Sequence, residues 1–235
     1  MILKSLHSAF KDAFFPPRCV FCGEVLPLEK GVCTKCSGKV RRIEPPICTH
    51  CGLNTEKCTC GKKEHYFESI CAPFEYTGVV RNGIHLYKFK GAESSAESFS
   101  AMIADCVRKN YGNVSFDFAL GVPTTPGSVK ERGFDQVELL AKGAAERLGI
   151  GYRGKLLTKL YETNRQHLLH ALFRSGNLTG VFDVARPDEV SGKTVLLIDD
   201  VSTSGETLDE CSKMLYLAGA DKIYCAVLAL AVKND

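Results

Sequence analysis

Eight of the chain's twelve cysteines fall between Cys19 and Cys60, and they come as four close pairs. The pairs are "CVFC" (Cys19, Cys22), "CTKC" (Cys33, Cys36), "CTHC" (Cys48, Cys51) and "CTC" (Cys58, Cys60). Two thiols on one tight turn face the same way, so they share a metal ion more readily than they cross-link. The N-terminus, "MILKSLHSAFKDAFFPP", has neither a continuous apolar stretch nor a small-residue cleavage site. A secretory signal is therefore not expected, and the thiols should stay reduced. The spacing predicts two tetrahedral Cys₄ zinc sites, each built from two successive knuckles. Cys19, Cys22, Cys33 and Cys36 would hold the first ion, and Cys48, Cys51, Cys58 and Cys60 the second. Glycine follows the knuckle in "CVFCG" and "CTHCG", where it lets the backbone turn its amides toward sulfur. A single residue separates Cys58 from Cys60, and His50 and His65 are alternative ligands there.

Residues 1–66 carry few large apolar side chains, so metal binding is expected to supply much of their folding energy. Leu3, Leu6, Phe10 and Phe14 recur at helical spacing and predict a short amphipathic helix, which packs on the protein or docks on a membrane or partner. The net charge is only +3, yet residues 1–66 hold 11 Lys and Arg against 6 Asp and Glu. A basic module is compatible with nucleic-acid contact, and a solvated surface explains the excess about as well. Lys39, Arg41 and Arg42, just after the first zinc site, are the candidate contact surface, with Lys62 and Lys63 beside the second. No apolar run approaches the ~18 residues of a membrane span.

After residue 66 the pattern changes to alternating strands and helices. With 235 residues, 45% of them hydrophobic, there is material for one sizeable core. "ESICAPFEY", "FDFALGVP", "KLLTKL", "KTVLLIDD" and "DKIYCAVLAL" read as strands. "GVVRNGIHLYKFKG", "AESFSAMIADCVRKNYG", "DQVELLAKGAAERLGI" and "GETLDECSKMLYLAGA" read as helices. Strands that are continuously apolar belong to a parallel sheet covered on both faces. Cys71, Cys106, Cys211 and Cys225 stand in apolar surroundings and read as core.

One strand ends unusually. "VLLIDDVSTSGETL" is a buried-looking run that closes on Asp199 and Asp200 and passes at once into small hydroxyl residues and a glycine. Ligands of open α/β sheets bind at the carboxyl ends of strands. A turn into a helix N-terminus, with Ser202, Thr203, Ser204 and Thr207 as further donors and Gly205 for close approach, makes a phosphate cradle. The carboxylates suit vicinal sugar hydroxyls instead. Together they predict a site for a sugar 5-phosphate.

That stretch resembles the phosphoribosyl pyrophosphate (PRPP) motif of type I phosphoribosyltransferases. A zinc-binding N-terminus joined to that fold resembles the ComF family, and the match extends along nearly the whole chain. "FEYTGVVRNGIHLYKFKG", "GVPTTPGSVKERGFDQVELLA" and "TNRQHLLHALFRSGNLTGVF" are similar to the family's other segments, with Asp135 where Asn is usual and Ser204 where Thr is commoner. The resemblance implies an α/β fold: a type I phosphoribosyltransferase-like domain with a mainly parallel sheet over 67–235, preceded by a small zinc-ribbon module over 1–66. It implies that Asp199 and Asp200 bind the ribose hydroxyls, within a PRPP segment that includes Val201 and Ser202. Thr203, Ser204, Gly205, Glu206 and Thr207 would hold the 5-phosphate. Val122, Pro123 and Thr124 would form a pyrophosphate loop aided by Lys130 or Arg132, with Arg174 and Lys88 as further cations. Mg²⁺ would bridge pyrophosphate and ribose hydroxyls. Tyr161 and Phe173 could stack on a base or simply pack.

Two functions of different classes remain open. One is a metabolic transferase, in which an acceptor attacks C1 of PRPP and pyrophosphate leaves; such chemistry needs mostly positioning and charge neutralisation. The other is a protein of DNA uptake and natural transformation that handles incoming single-stranded DNA with a helicase partner and a single-strand-DNA loading protein. The family context favours the second. The expected location is the cytoplasm, with the inner face of the membrane reached through partners.

Overall fold

The longest apolar runs of the chain form the centre of its sheet. Strands β7 (Thr194–Ser202) and β8 (Lys222–Leu230) lie side by side and parallel, from Thr194 opposite Lys222 to Ser202 opposite Leu230. Every residue from Val195 to Ile198 and from Cys225 to Leu230 is buried. A strand covered on both faces needs no polar alternation. In this computed structural model the described residues are 16–26, 31–61, 63–89, 94–159 and 181–232. The expected N-terminal helix, Lys62, Tyr161, Phe173 and Arg174 lie outside them.

Around that centre the sheet runs β1 (Ser69–Cys71), β8, β7, β3 (Phe118–Gly121), β4 (Gly151–Tyr152), all parallel. A short β2 (Phe74–Glu75) continues along β8 after β1. The helices are α1 (Thr34–Ser37), α2 (Gly78–Phe89), α3 (Ser95–Tyr111), α4 (Pro126–Arg132), α5 (Gln136–Leu148) and α6 (Glu206–Leu217). Helices α2, α3 and α5 bury Ile84, Tyr87, Phe99, Ile103 and Leu140 on one face of the sheet. Helix α6 buries Leu208, Cys211 and Leu215 on the other. Beyond β3 the chain leads to β4 on one side, and beyond β7 it leads to β8 on the other. Neighbouring strands whose connections diverge in this way open a crevice beyond their carboxyl ends. The loops after β3 and β7 meet there.

The two cysteine-rich lobes straddle the β1 edge of the sheet. Val20 and Phe21 of the first enter the face covered by α2 and α3, where the Phe21 ring meets Phe74 at 5.7 Å and Phe99 at 6.0 Å. Leu53 of the second enters the opposite face with Phe67 and Ile70. The connecting residues lie antiparallel along β2, with Glu75 N–H donating to Arg41 O at 3.0 Å and Ile43 N–H to Pro73 O at 3.1 Å. This covers an otherwise open edge. The buried Glu75 carboxylate pins the arrangement, paired with Lys57 and lying 4.0 Å from Arg41 Nη1. The lobes therefore share the body's core instead of depending on metal alone, which accounts for their low apolar content.

Several expectations change in detail. Pro73 divides "ESICAPFEY" into β1 and β2. "KLLTKL" does form a strand, β5 (Leu157–Lys159), but it pairs antiparallel with β6 (Phe182–Val184) outside the main sheet. Helix α4 follows the β3 loop and was not among the expected helices: Thr125 caps it, Pro126 starts it and Gly133 ends it at φ +83°. Cys71, Cys106, Cys211 and Cys225 are buried, as their surroundings implied.

Candidate functional site

Each group of four cysteines gathers its sulfurs to within 4.8 Å of one another. Measured separations include 3.7 Å for Cys22–Cys33, 3.9 Å for Cys48–Cys60, 3.5 Å for Cys51–Cys58 and 3.3 Å for Cys58–Cys60. A tetrahedron of Zn–S bonds near 2.3 Å spaces its sulfurs by about 3.8 Å, so both clusters fit the ion. The close Cys58–Cys60 pair is accommodated, and all four second-group cysteines take part. His65 is placed elsewhere: its ring stacks on Phe67 at 4.5 Å and its Nδ1 lies 3.4 Å from Asp209 Oδ1. Amides also serve the sulfurs, with Cys33 N–H 3.3 Å from Cys19 Sγ and Cys36 N–H 3.4 Å from Cys33 Sγ. Burial pushes the Cys19 thiol up, but the surrounding amide donors outweigh it and bring it down to about 7. The Cys60 N–H and thiol bring Cys58 down to about 7 as well. One thiol in each cluster is thus drawn toward thiolate, the metal-binding form, whereas burial pushes the Cys22, Cys36 and Cys51 thiols up. Metal analysis of the intact chain should find two equivalents of zinc, and a folded, metal-free N-terminal module would contradict this assignment.

The acid pair stands inside β7, which continues through Val201 to Ser202 instead of ending at Asp200. Strand alternation then separates the two carboxylates. Asp200 shares a face with Leu196 and Ile198, whereas Asp199 shares one with Val195 and Leu197. Asp200 is 4% exposed and its Oδ1 accepts from Lys88 Nζ at 2.8 Å. Asp199 Oδ1 accepts the Asp200 N–H at 2.7 Å. Burial, followed by the adjacent Asp200 charge, pushes the Asp199 carboxyl well above the usual carboxylate range. The Lys88 contact joins residues far apart in the chain, and only its place at the end of α2 hinted at it.

Beyond the acids, Thr203, Ser204, Glu206 and Thr207 are exposed and Ser202 is buried. Gly205 stands at the N-cap of α6 with φ +82°, in open space. Its positive φ serves the left-handed turn into α6, and the space beside it is open. The β3 loop is more constrained than its residue types suggest. Val122 N–H donates to Ile198 O at 2.8 Å, and Pro123 has no N–H. Thr124 gives its hydroxyl to Asp135 Oδ1 at 3.0 Å, the oxygen that also caps α5 through the Val137 and Glu138 amides. Asp135 is thus a helix cap, a role open to Asn as well.

Helix α4 carries Lys130 and Arg132 in its last turn. Lys130 is exposed, whereas the Arg132 guanidinium lies 5.2 Å above the Phe89 ring with Nε making no hydrogen bond. Arg132 thereby stands beside the end of α2 that supplies Lys88. Gln136, 3% exposed with an unpartnered Oε1, went unnoticed in the sequence, although it closes the "RGFDQ" segment. Lys39, Arg41 and Arg42 lie on the connector between lobes, where Arg42 stacks on Phe74 at 5.3 Å and Arg41 serves Glu75. Of the three, Lys39 carries no such contact. Among the described residues, no helix is long and apolar enough to cross a membrane.

Comparison with known proteins agrees with this architecture. Residues 10–72 match a double zinc ribbon domain, and residues 140–234 match a phosphoribosyl transferase domain. DNA utilization protein YhgH of Escherichia coli (strain K12) is 28% identical over 214 residues, covering 87% of this chain and 93% of the relative. Competence protein F of Haemophilus influenzae is 28% identical over 228 residues, covering 93% and 99%. Competence protein ComFC of Streptococcus pneumoniae is 25% identical over 225 residues, covering 88% and 96%. The chain thus joins a double zinc ribbon to a phosphoribosyl transferase domain, and along most of its length it is similar to these DNA utilization and competence proteins.

Proposed function

We propose that the chain binds PRPP at the crevice beyond β3 and β7 and acts in DNA uptake, handling single-stranded DNA with a helicase and a single-strand-DNA loading protein. The observation that carries the ligand reading is the Asp199–Asp200 pair, held at the carboxyl end of a central strand directly before a strand-to-helix turn. A ribose over the sheet edge would meet one carboxylate from each face. The turn from Thr203 to Thr207 offers backbone amides and hydroxyls to the 5-phosphate, aided by the positive end of the α6 dipole. Lys88 orients Asp200, and Arg132 is suited to the pyrophosphate. The donors around this end are carboxylates and hydroxyls, which suit a hard ion such as Mg²⁺. When bound, that ion supplies charge neutralisation of the pyrophosphate. The DNA context is supported by the relatives' names, DNA utilization protein and competence protein.

PRPP should raise the melting temperature in proportion to the logarithm of its concentration, and more so with Mg²⁺. A chain that shows no shift at saturating PRPP and Mg²⁺ would sink the ligand reading. Pyrophosphate release on adding candidate acceptors would reveal transfer. Single-stranded DNA should bind weakly and with strong salt dependence. Replacing Lys39, Arg41 and Arg42 together by Ala should flatten the log-affinity against log-salt line by about two units if all three touch phosphates. An unchanged slope would assign them to edge covering alone.

A further inference from the structure

A second wall faces the phosphate loop. The stretch Ser202–Glu206 lines a cleft of about 270 Å³ whose opposite side is the second zinc ribbon, which contributes His50, Lys63 and His65. Three basic or imidazole side chains thus look across at a turn rich in amides and hydroxyls; among the described residues Glu206 is the one lining carboxylate, and Cys51 and Cys60 of the second cluster line the cleft as well. The cleft is small beside ordinary ligand pockets of about 300–1,000 Å³, so it suits a compact charged group better than a whole nucleotide.

The ribbon is held in this position by its own chain. Tyr66 N–H donates to Asp209 Oδ1 at 2.8 Å, which ties the segment leaving the ribbon to the first turns of α6. Gly52 brings the ribbon backbone onto β1, since a Cβ there would fall 2.7 Å from Ile70 O. The His65 side chain is 9% exposed and lines the cleft; its Nδ1 lies 3.4 Å from Asp209 Oδ1 and makes no hydrogen bond among the described residues. Lys63 is exposed, with its amide on Cys60 O at 3.3 Å and no side-chain partner among the described residues. His50 lies between Cys48 and Cys51, so the metal of the second cluster would fix its place on the wall.

We infer that the second zinc ribbon is the other half of the 5-phosphate site: Lys63 and His50 close over a phosphomonoester dianion seated on the Thr203–Glu206 amides. The ribbon is then a ligand-binding element as well as a folded support. This rests on the reading of the crevice as a phosphoribosyl site. The ammonium supplies charge and the imidazole a directed N–H, while the half-buried His65 completes the floor behind them.

The test is calorimetric titration of the full, zinc-loaded chain with PRPP and, separately, with pyrophosphate, which lacks the 5-phosphate. Lys63→Ala and His50→Gln are each expected to weaken PRPP about 10-fold, as for loss of one hydrogen bond to a charged group, and to leave pyrophosphate affinity unchanged. Lys63→Arg should retain most of the affinity. Both positions lie at the surface of the cleft, so melting temperature and zinc content should match the parent. Unchanged PRPP affinity in the Lys63→Ala, His50→Gln double variant would overturn the clamp while leaving the phosphoribosyl reading standing. Equal weakening of pyrophosphate would also overturn it. Failure of the parent chain to bind PRPP would remove both.

Discussion

Gly83→Ala is expected to destabilise the chain by about 3 kcal/mol or more, although in an exposed helix the same change stabilises by about 1 kcal/mol. Gly83 lies inside α2, where the first ribbon comes down upon it. A Cβ there would fall 2.6 Å from Val20 O and 2.8 Å from Phe21 Cα. These are backbone atoms and cannot rotate away. Either the helix or the knuckle must move, and movement strips Phe21, 1% exposed, from its place between Phe74 and Phe99. Burial of such a ring contributes about 1.5–3 kcal/mol on its own. For a chain of this size the loss corresponds to roughly 6–12 °C in melting temperature. Thermal and urea unfolding would measure it, and zinc retention would report the first cluster. A shift within about 1 °C would mean that the ribbon does not rest on the helix in this way.

Asp199→Asn should move apoprotein stability and ligand binding in opposite directions. Burial and the Asp200 charge raise the folded-state pKa of Asp199. The unfolded value is near 3.9. Between these two values the folded chain holds the extra proton, so stability falls as pH rises through that window and stays lower above it. Asn carries no charge and can still accept the Asp200 amide. The apoprotein should therefore melt higher at neutral pH, by about 2–4 °C for each kcal/mol relieved, and its stability should change less between mildly acid and neutral pH. PRPP affinity should fall by about 10–100-fold, the cost of a hydrogen bond to a charged group. Melting curves across pH, with and without PRPP, measure both effects. An apoprotein that gains nothing would remove the buried-charge argument, and full retention of PRPP binding would remove Asp199 from the ribose site.

The cysteine clusters were legible because ligand spacing on a knuckle is local chemistry: the residues that share an ion are those the turn brings together. The central strands and long helices were legible for a similar reason. Continuous apolar runs such as "TVLLIDDVS" and the spacing of Phe99, Ile103 and Val107 on α3 reflect burial imposed one element at a time. Helix α4 was written in its Thr-Pro start and Gly end, but at seven residues it has too little periodicity to stand out from a loop. β5 carried a strand pattern but no indication of its partner, because pairing with residues 182–184 is a matter of topology.

What the chain's order of residues determined by itself was therefore the chemistry: eight thiols for metal, an acid pair, and a glycine-bearing turn into a helix. Only the tertiary structure decided what faces what. It divided Asp199 and Asp200 between opposite faces of the sheet and brought Lys88 to Asp200 across 112 positions of sequence. It turned Arg41 and Arg42 from free cations into the covering of a sheet edge, and set the second ribbon across a cleft from the turn that follows β7. The physical reason is range. Turn geometry and side-chain periodicity act over a few residues, whereas the partner of a charge or the wall of a cleft is fixed by packing between segments whose separation along the chain carries no trace of their distance in space.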